Sequence, residues 1–224
     1  MNTIPQSTLA FVLKAVQFAV RAHGSQKRKA SGVPYITHPV DVAEIIVNEA
    51  GCFDPATLAA AILHDVVEDT AVTAGEIERE FGAKVAGIVL EVSDDKALRP
   101  SERKREQIRK FPALSYEACM VKMADKISNL RDQLRNPIPS WSIERIRGYA
   151  AWCYSVVFEA AVVAPPAPAA AAAVQSRHAN ASPVLALALH RIIDAGEFVR
   201  DGKTYALRGP VTEQEYYDIV DGVK

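Results

Sequence analysis

Residues Ala56 to Leu63 form an apolar run whose only polar side chain is Thr57, and the run ends in His64-Asp65-Val66-Val67-Glu68-Asp69-Thr70. A helix that is apolar on every side belongs in the interior. This one would carry four polar or charged residues, His64, Asp65, Glu68 and Asp69, at its buried end. Isolated buried charges cost several kcal/mol or shift their pKa, and they persist when paired or bound to metal. His64 with Glu68 and Asp65 with Asp69 are four apart, so a helical turn would crowd all of them at one end. The chain must fold around that cluster.

The rest of the sequence predicts helices. Leu9, Val12, Leu13, Val16 and Val20 recur at helical spacing, ending near His23-Gly24. Pro39 suits the first turn of a second helix, with Gly51 as its stop, and Asp54-Pro55 caps the third, which runs into the charged motif. Thr73-Ala74-Gly75-Glu76 is a capping box, and a helix spans roughly Val85 to Val92. Ser101 begins a strongly basic helix, Ser115 begins another, and Ser140-Trp141 opens a long helix through Tyr149, Trp152 and Val156. The fold class expected is all-α, a helical bundle with a small C-terminal β-hairpin.

Composition changes near the end. The prolines at 165, 166 and 168 and a run of alanines predict a linker or an interrupted helix over 161–181. This separates a core at 1–160 from a C-terminal part at 182–224. In that part Ser182-Pro183 starts a helix, Asp201-Gly202 marks a hairpin, and Thr212-Glu213-Gln214-Glu215 caps a final helix.

A net charge of −1 argues against general nucleic-acid binding. No run of apolar residues outside the Ala/Pro segment suits a membrane span, and no signal core follows the N-terminus. Cys52, Cys119 and Cys153 form no CxxC pair, which predicts reduced thiols and a cytoplasmic setting.

His38, at a helix entry before Pro39, can join His64, Asp65 and Asp125 around one ion. Imidazoles and carboxylates suit a first-row divalent metal, and the lack of a nearby cysteine disfavours a structural zinc site. Glu68 and Asp69 would then orient a water or carry protons. Two basic stretches, Lys27-Arg28-Lys29 and the segment from Lys96 to Arg105, offer cations for phosphate.

These residues occur in motifs that resemble one family. Pro34-Tyr35-Ile36-Thr37-His38-Pro39, His64-Asp65-Val66-Val67-Glu68-Asp69-Thr70, Phe81-Gly82 and Val121 through Arg131 are similar to the hydrolase domain of Rel/SpoT proteins, within the HD phosphohydrolase superfamily. Ser93-Asp94-Asp95-Lys96 and Glu102-Arg103-Lys104-Arg105 resemble the stand-alone small alarmone hydrolases of that family. The resemblance spans about Leu9 to Val157.

It implies a Mn²⁺-dependent enzyme that removes the 3′-pyrophosphate of ppGpp or pppGpp, giving GDP or GTP and pyrophosphate, without synthetase activity. It implies His38, His64, Asp65 and Asp125 as metal ligands and Glu68 and Asp69 as the catalytic pair. Arg28 and Lys29 would pack on the base, Asn129 would lie near the ribose, and Lys96, Arg103 and Arg105 would face the pyrophosphates. The partner expected is the guanosine tetra- or pentaphosphate, with no nucleic acid and no membrane, and a homodimer is left open. Two alternatives stand beside it: a phosphatase on another nucleotide such as NADPH, and a non-catalytic alarmone sensor.

Overall fold

The computed structural model describes residues 6–159 and 182–223, so the Ala/Pro segment lies outside the described residues. The described residues are mostly helical, with one two-stranded antiparallel hairpin near the C-terminus. Its contacts group it into two compact units.

The first unit takes residues up to 28, 32–93 and 115–128. It holds α1 (Gln6–His23), α2 (Thr37–Asn48), α3 (Pro55–Leu63), α4 (Val66–Asp69), α5 (Ala74–Phe81), α6 (Ala83–Val92) and the start of α8 (Tyr116–Arg135). At its centre is α3, packed by α1, α2 and α6. Every residue from Thr57 to Leu63 is buried. Ala59, Ala60 and Ala61 let neighbouring helices approach, while Leu63, Ile46 and Val89 fill the space between them. Each such large aliphatic side chain contributes about 1.5–3 kcal/mol through burial. Phe81, at the end of α5, meets Phe11 and Phe18 of α1 edge-on at 5.9 and 5.3 Å.

Asp54 starts α3 as expected. Its Oδ2 accepts from the Thr57 backbone N–H at 2.9 Å and from the Thr57 hydroxyl at 2.7 Å. Asp54→Ala removes a cap and leaves a buried hydroxyl without its acceptor. We predict a loss of about 1–3 kcal/mol in unfolding free energy. A denaturant midpoint equal to the wild type would show that α3 is held without its cap.

The helix does not run through the charged motif. It stops at Leu63 and resumes at Val66 as the single turn α4. The Ala61 carbonyl, which a continuing helix would offer to the Asp65 N–H, accepts from His64 Nδ1 at 2.8 Å. The side chain competes with the backbone, and the break falls at His64 and Asp65.

The second unit takes residues 29–31, 94–114 and everything described from 129 onward. It contains α7 (Pro100–Lys110), a 3₁₀ turn (Phe111–Ala113), the end of α8, α9 (Ile143–Tyr154), a π turn (Ser155–Glu159), α10 (Pro183–Ala195), β1 (Glu197–Arg200), β2 (Lys203–Ala206) and α11 (Glu213–Val220). The start of α9 differs from the expectation. Ser142, not Ser140, caps it, its hydroxyl accepting the Arg145 N–H at 3.1 Å. The helix also ends before Val156, which lies in the π turn.

In the hairpin Glu197 pairs with Ala206 and Arg200 with Lys203, leaving Asp201-Gly202 as the two-residue turn. Their φ values of 50° and 70° are the left-handed pair that such a turn requires. α11 packs on α9 and α7. At Gly148 of α9 a Cβ would lie 2.6 Å from the Tyr216 ring, so glycine is what allows α11 to seat there.

Candidate metal centre

Four side chains from three places in the first unit meet. His38 stands at the second position of α2, His64 and Asp65 occupy the break between α3 and α4, and Asp125 comes from α8. His38 Nε2 is 3.1 Å from Asp125 Oδ1 and 3.7 Å from Asp65 Oδ2. His64 Nε2 is 3.1 Å from Asp65 Oδ2 and 3.8 Å from Asp125 Oδ1. His38, His64 and Asp65 each offer a donor atom within 4.8 Å of the others. The imidazoles are buried, at 1% and 5% exposure, while each carboxylate side chain is 18% exposed, so the cluster opens on its carboxylate side.

The far nitrogens of both rings are fixed. His38 Nδ1 bonds the Ser128 hydroxyl at 3.1 Å, and His64 Nδ1 donates to the Ala61 carbonyl. A His64 that donates through Nδ1 presents, when neutral, a lone pair at Nε2, the arrangement of a metal-binding imidazole. That Nε2 is buried and no hydrogen bond satisfies it; Asp65 is near but poorly aligned for an N–H bond.

The electrostatics agree. Burial alone would lower the His64 pKa, but Asp65 and then Asp125 outweigh it and push it up to about 9. Burial would raise both carboxyls, yet the facing imidazoles hold Asp65 and Asp125 well below the usual range. Two carboxylates facing two imidazoles call for positive charge between them. A proton on His64 supplies it when no ion is bound, and a divalent cation fits the same place. The donor set suits such an ion.

Tyr35 was missed as a functional residue by sequence reasoning. Its hydroxyl donates to Asp65 Oδ2 at 2.5 Å. Burial, then the Asp65 charge, raises its pKa so far that it stays a neutral donor. Tyr35 also packs against His23 at 4.8 Å, and the Arg28 guanidinium lies 5.9 Å from its ring centre. Tyr35→Phe is expected to weaken divalent-ion binding by about 10–100-fold, the usual range for a partner that orients a ligand. Direct ion titration checks this, and an unchanged affinity would remove Tyr35 from the site.

Glu68 and Asp69 are half-buried on α4, directly after the break. The Asp69 backbone is anchored at both ends. Its N–H donates to the Asp65 carbonyl at 2.8 Å, and its carbonyl accepts from Gln26 Nε2 at 2.9 Å. Arg28 belongs to the same unit. Lys29, Lys96, Arg103, Arg105 and Asn129 belong to the second. There Lys29, Lys96 and Arg105 are exposed, and Arg103 and Asn129 are half-buried.

The family model described as HD domain matches residues 15–145. The chain belongs to the HD-domain family. Within that family, its curated relatives include the human guanosine-3′,5′-bis(diphosphate) 3′-pyrophosphohydrolase MESH1, 48% identical over 152 residues, which are 67% of this chain and 85% of that protein. The Drosophila melanogaster protein of the same name is 42% identical over 158 residues, 70% of this chain and 87% of that one. A solved structure described as a metazoan ortholog of SpoT that hydrolyzes ppGpp superposes with a TM-score of 0.73 at 35% identity. The superposition covers 87% of this chain and 98% of that one. Among the described residues, no helix is long and apolar enough to cross a membrane.

Proposed function

We propose that this chain hydrolyses guanosine alarmones, releasing pyrophosphate from the 3′ position of ppGpp or pppGpp and leaving GDP or GTP. The observation that carries the reading is the convergence of His38, His64, Asp65 and Asp125 on one point, with both imidazole Nδ1 atoms already engaged. The activity for which the MESH1 relatives are named supplies the substrate.

His38, His64, Asp65 and Asp125 would hold the ion, for which we propose Mn²⁺. When bound, it supplies Lewis-acid charge for a phosphoryl oxygen and lowers the pKa of water. The remaining work falls to the protein. Glu68 and Asp69 orient the attacking water and take its proton. The water oxygen bonds the phosphorus attached to the 3′ oxygen, the bond between them breaks, and the 3′ oxygen leaves with a proton as hydroxyl. Arg28 and Lys29 hold the base, Asn129 the ribose, and Lys96, Arg103 and Arg105 the phosphates, since transfer of this kind depends on positioning and charge compensation. The hydrolase core is proposed as 1–160, with 182–224 as a C-terminal part that completes it or is appended to it. We propose a cytoplasmic setting for the chain, because Cys52, Cys119 and Cys153 form no disulfide with one another.

The test compares pyrophosphate release from ppGpp with phosphate release from NADPH, each with Mn²⁺. Turnover of ppGpp supports the proposal. Turnover of NADPH alone moves the substrate, and binding of ppGpp without turnover makes the chain a sensor.

A further inference from the structure

The first half of the basic helix α7 is held by two other helices of its unit. From α9, the Trp152 indole N–H donates to the Lys104 carbonyl at 3.0 Å, and the Lys104 ammonium lies 3.5 Å from the centre of the Trp152 ring. From the end of α11, the Asp221 carboxylate accepts from the Ser101 backbone N–H at 2.9 Å and from its hydroxyl at 2.6 Å. That places a negative charge at the N-terminus of α7, where orphan N–H groups and the helix dipole favour it. One turn on, the Arg105 guanidinium lies 4.1 Å from the centre of the Tyr217 ring of α11, with Nη1 3.5 Å from the Ser101 hydroxyl. Tyr217 is itself tied to Glu213, and its neighbour Tyr216 is locked against Gly148.

A guanidinium stacked on an aromatic face keeps its N–H edge free to meet phosphate in a forked, bidentate way. Arg105 is exposed, so an unsupported side chain would lose much rotamer freedom on binding a polyanion. Held against Tyr217, it has lost part of that freedom beforehand, which is how preorganisation raises affinity.

We propose that the C-terminal helix α11 is a positioning element for the substrate's phosphates: Tyr217 and Asp221 preset Arg105 and the start of α7, and so set KM rather than kcat. This deepens the alarmone-hydrolase reading and rests on it, through the assignment of Arg105 to the phosphates.

The experiment measures KM and kcat for ppGpp in the full chain carrying Tyr217→Leu, Tyr217→Phe, Asp221→Ala, Arg105→Ala and the pair Arg105→Ala/Tyr217→Leu. Tyr217→Leu is expected to raise KM about two- to fivefold, the scale of an exposed cation–π contact, with kcat unchanged. Tyr217→Phe keeps the ring and restores KM. Asp221→Ala raises KM in the same direction. In the Arg105→Ala background, Tyr217→Leu adds nothing, because the two act through one contact. The proposal is overturned if Tyr217→Leu leaves KM alone, if it raises KM equally without Arg105, or if Arg105→Ala has no effect on KM. A wild-type chain that does not turn over ppGpp fails the functional reading instead, before any variant is compared.

Discussion

His64→Ala is expected to lower pyrophosphate release from ppGpp by at least about a thousandfold, because ion charge at a reacting phosphate contributes several kcal/mol and each 1.4 kcal/mol is tenfold in rate. The substitution removes a donor whose Nε2 has no hydrogen-bond partner and whose other nitrogen is already fixed, so no neighbour can take its place. His38, left with two carboxylates, makes a poorer site. Circular dichroism and thermal melting should show the helices retained. Activity within tenfold of wild type at saturating Mn²⁺ would mean that the cluster is an internal ion-pair network and not a metal centre.

Changing Glu68 and Asp69, the pair proposed to handle the water, should separate rate from ion binding. Glu68→Gln and Asp69→Asn keep shape and remove charge. Each is expected to reduce kcat by about 10²–10⁴-fold, the range for a positioned general base, while leaving ion affinity near wild type. The anchored Asp69 backbone argues that the amide variant will hold its place in α4. An ion affinity that falls with the rate would make these residues ligands, and an unchanged kcat would take the proton-handling role from them.

Helix starts were the most legible part of this chain. At Asp54, Thr73, Ser182 and Thr212 a side-chain oxygen accepts from a backbone N–H three residues on. That signal is local and chemical, so spacing alone finds it. The hairpin was legible for a similar reason, since Asp-Gly tolerates two successive positive φ values. Where two candidate caps lie close together, as at Ser140 and Ser142, spacing does not choose between them, and the helix expected to open at Ser140 is capped by Ser142.

The centre was half legible. Histidines and carboxylates declare themselves by type, and His64-Asp65 follows a buried run. Tyr35 and Ser128 do not, because a single hydroxyl has no periodic signature and acquires its role only when the fold sets it beside Asp65 or His38. The break in the helix at His64 was likewise hidden. It depends on a side-chain nitrogen taking a carbonyl that propensity scales assign to the backbone.

The proposed donors lie at positions 38, 64, 65 and 125, so the cluster exists only when α2, the α3–α4 break and α8 are assembled. An unfolded chain offers no such grouping, and any ion bound there draws the equilibrium toward the folded form by mass action. At a free concentration one hundred times its dissociation constant the gain is about 2.7 kcal/mol. A chelator would then act on this protein twice, stopping turnover and loosening the helices around α3, and the melting temperature would track the free ion as closely as the activity does.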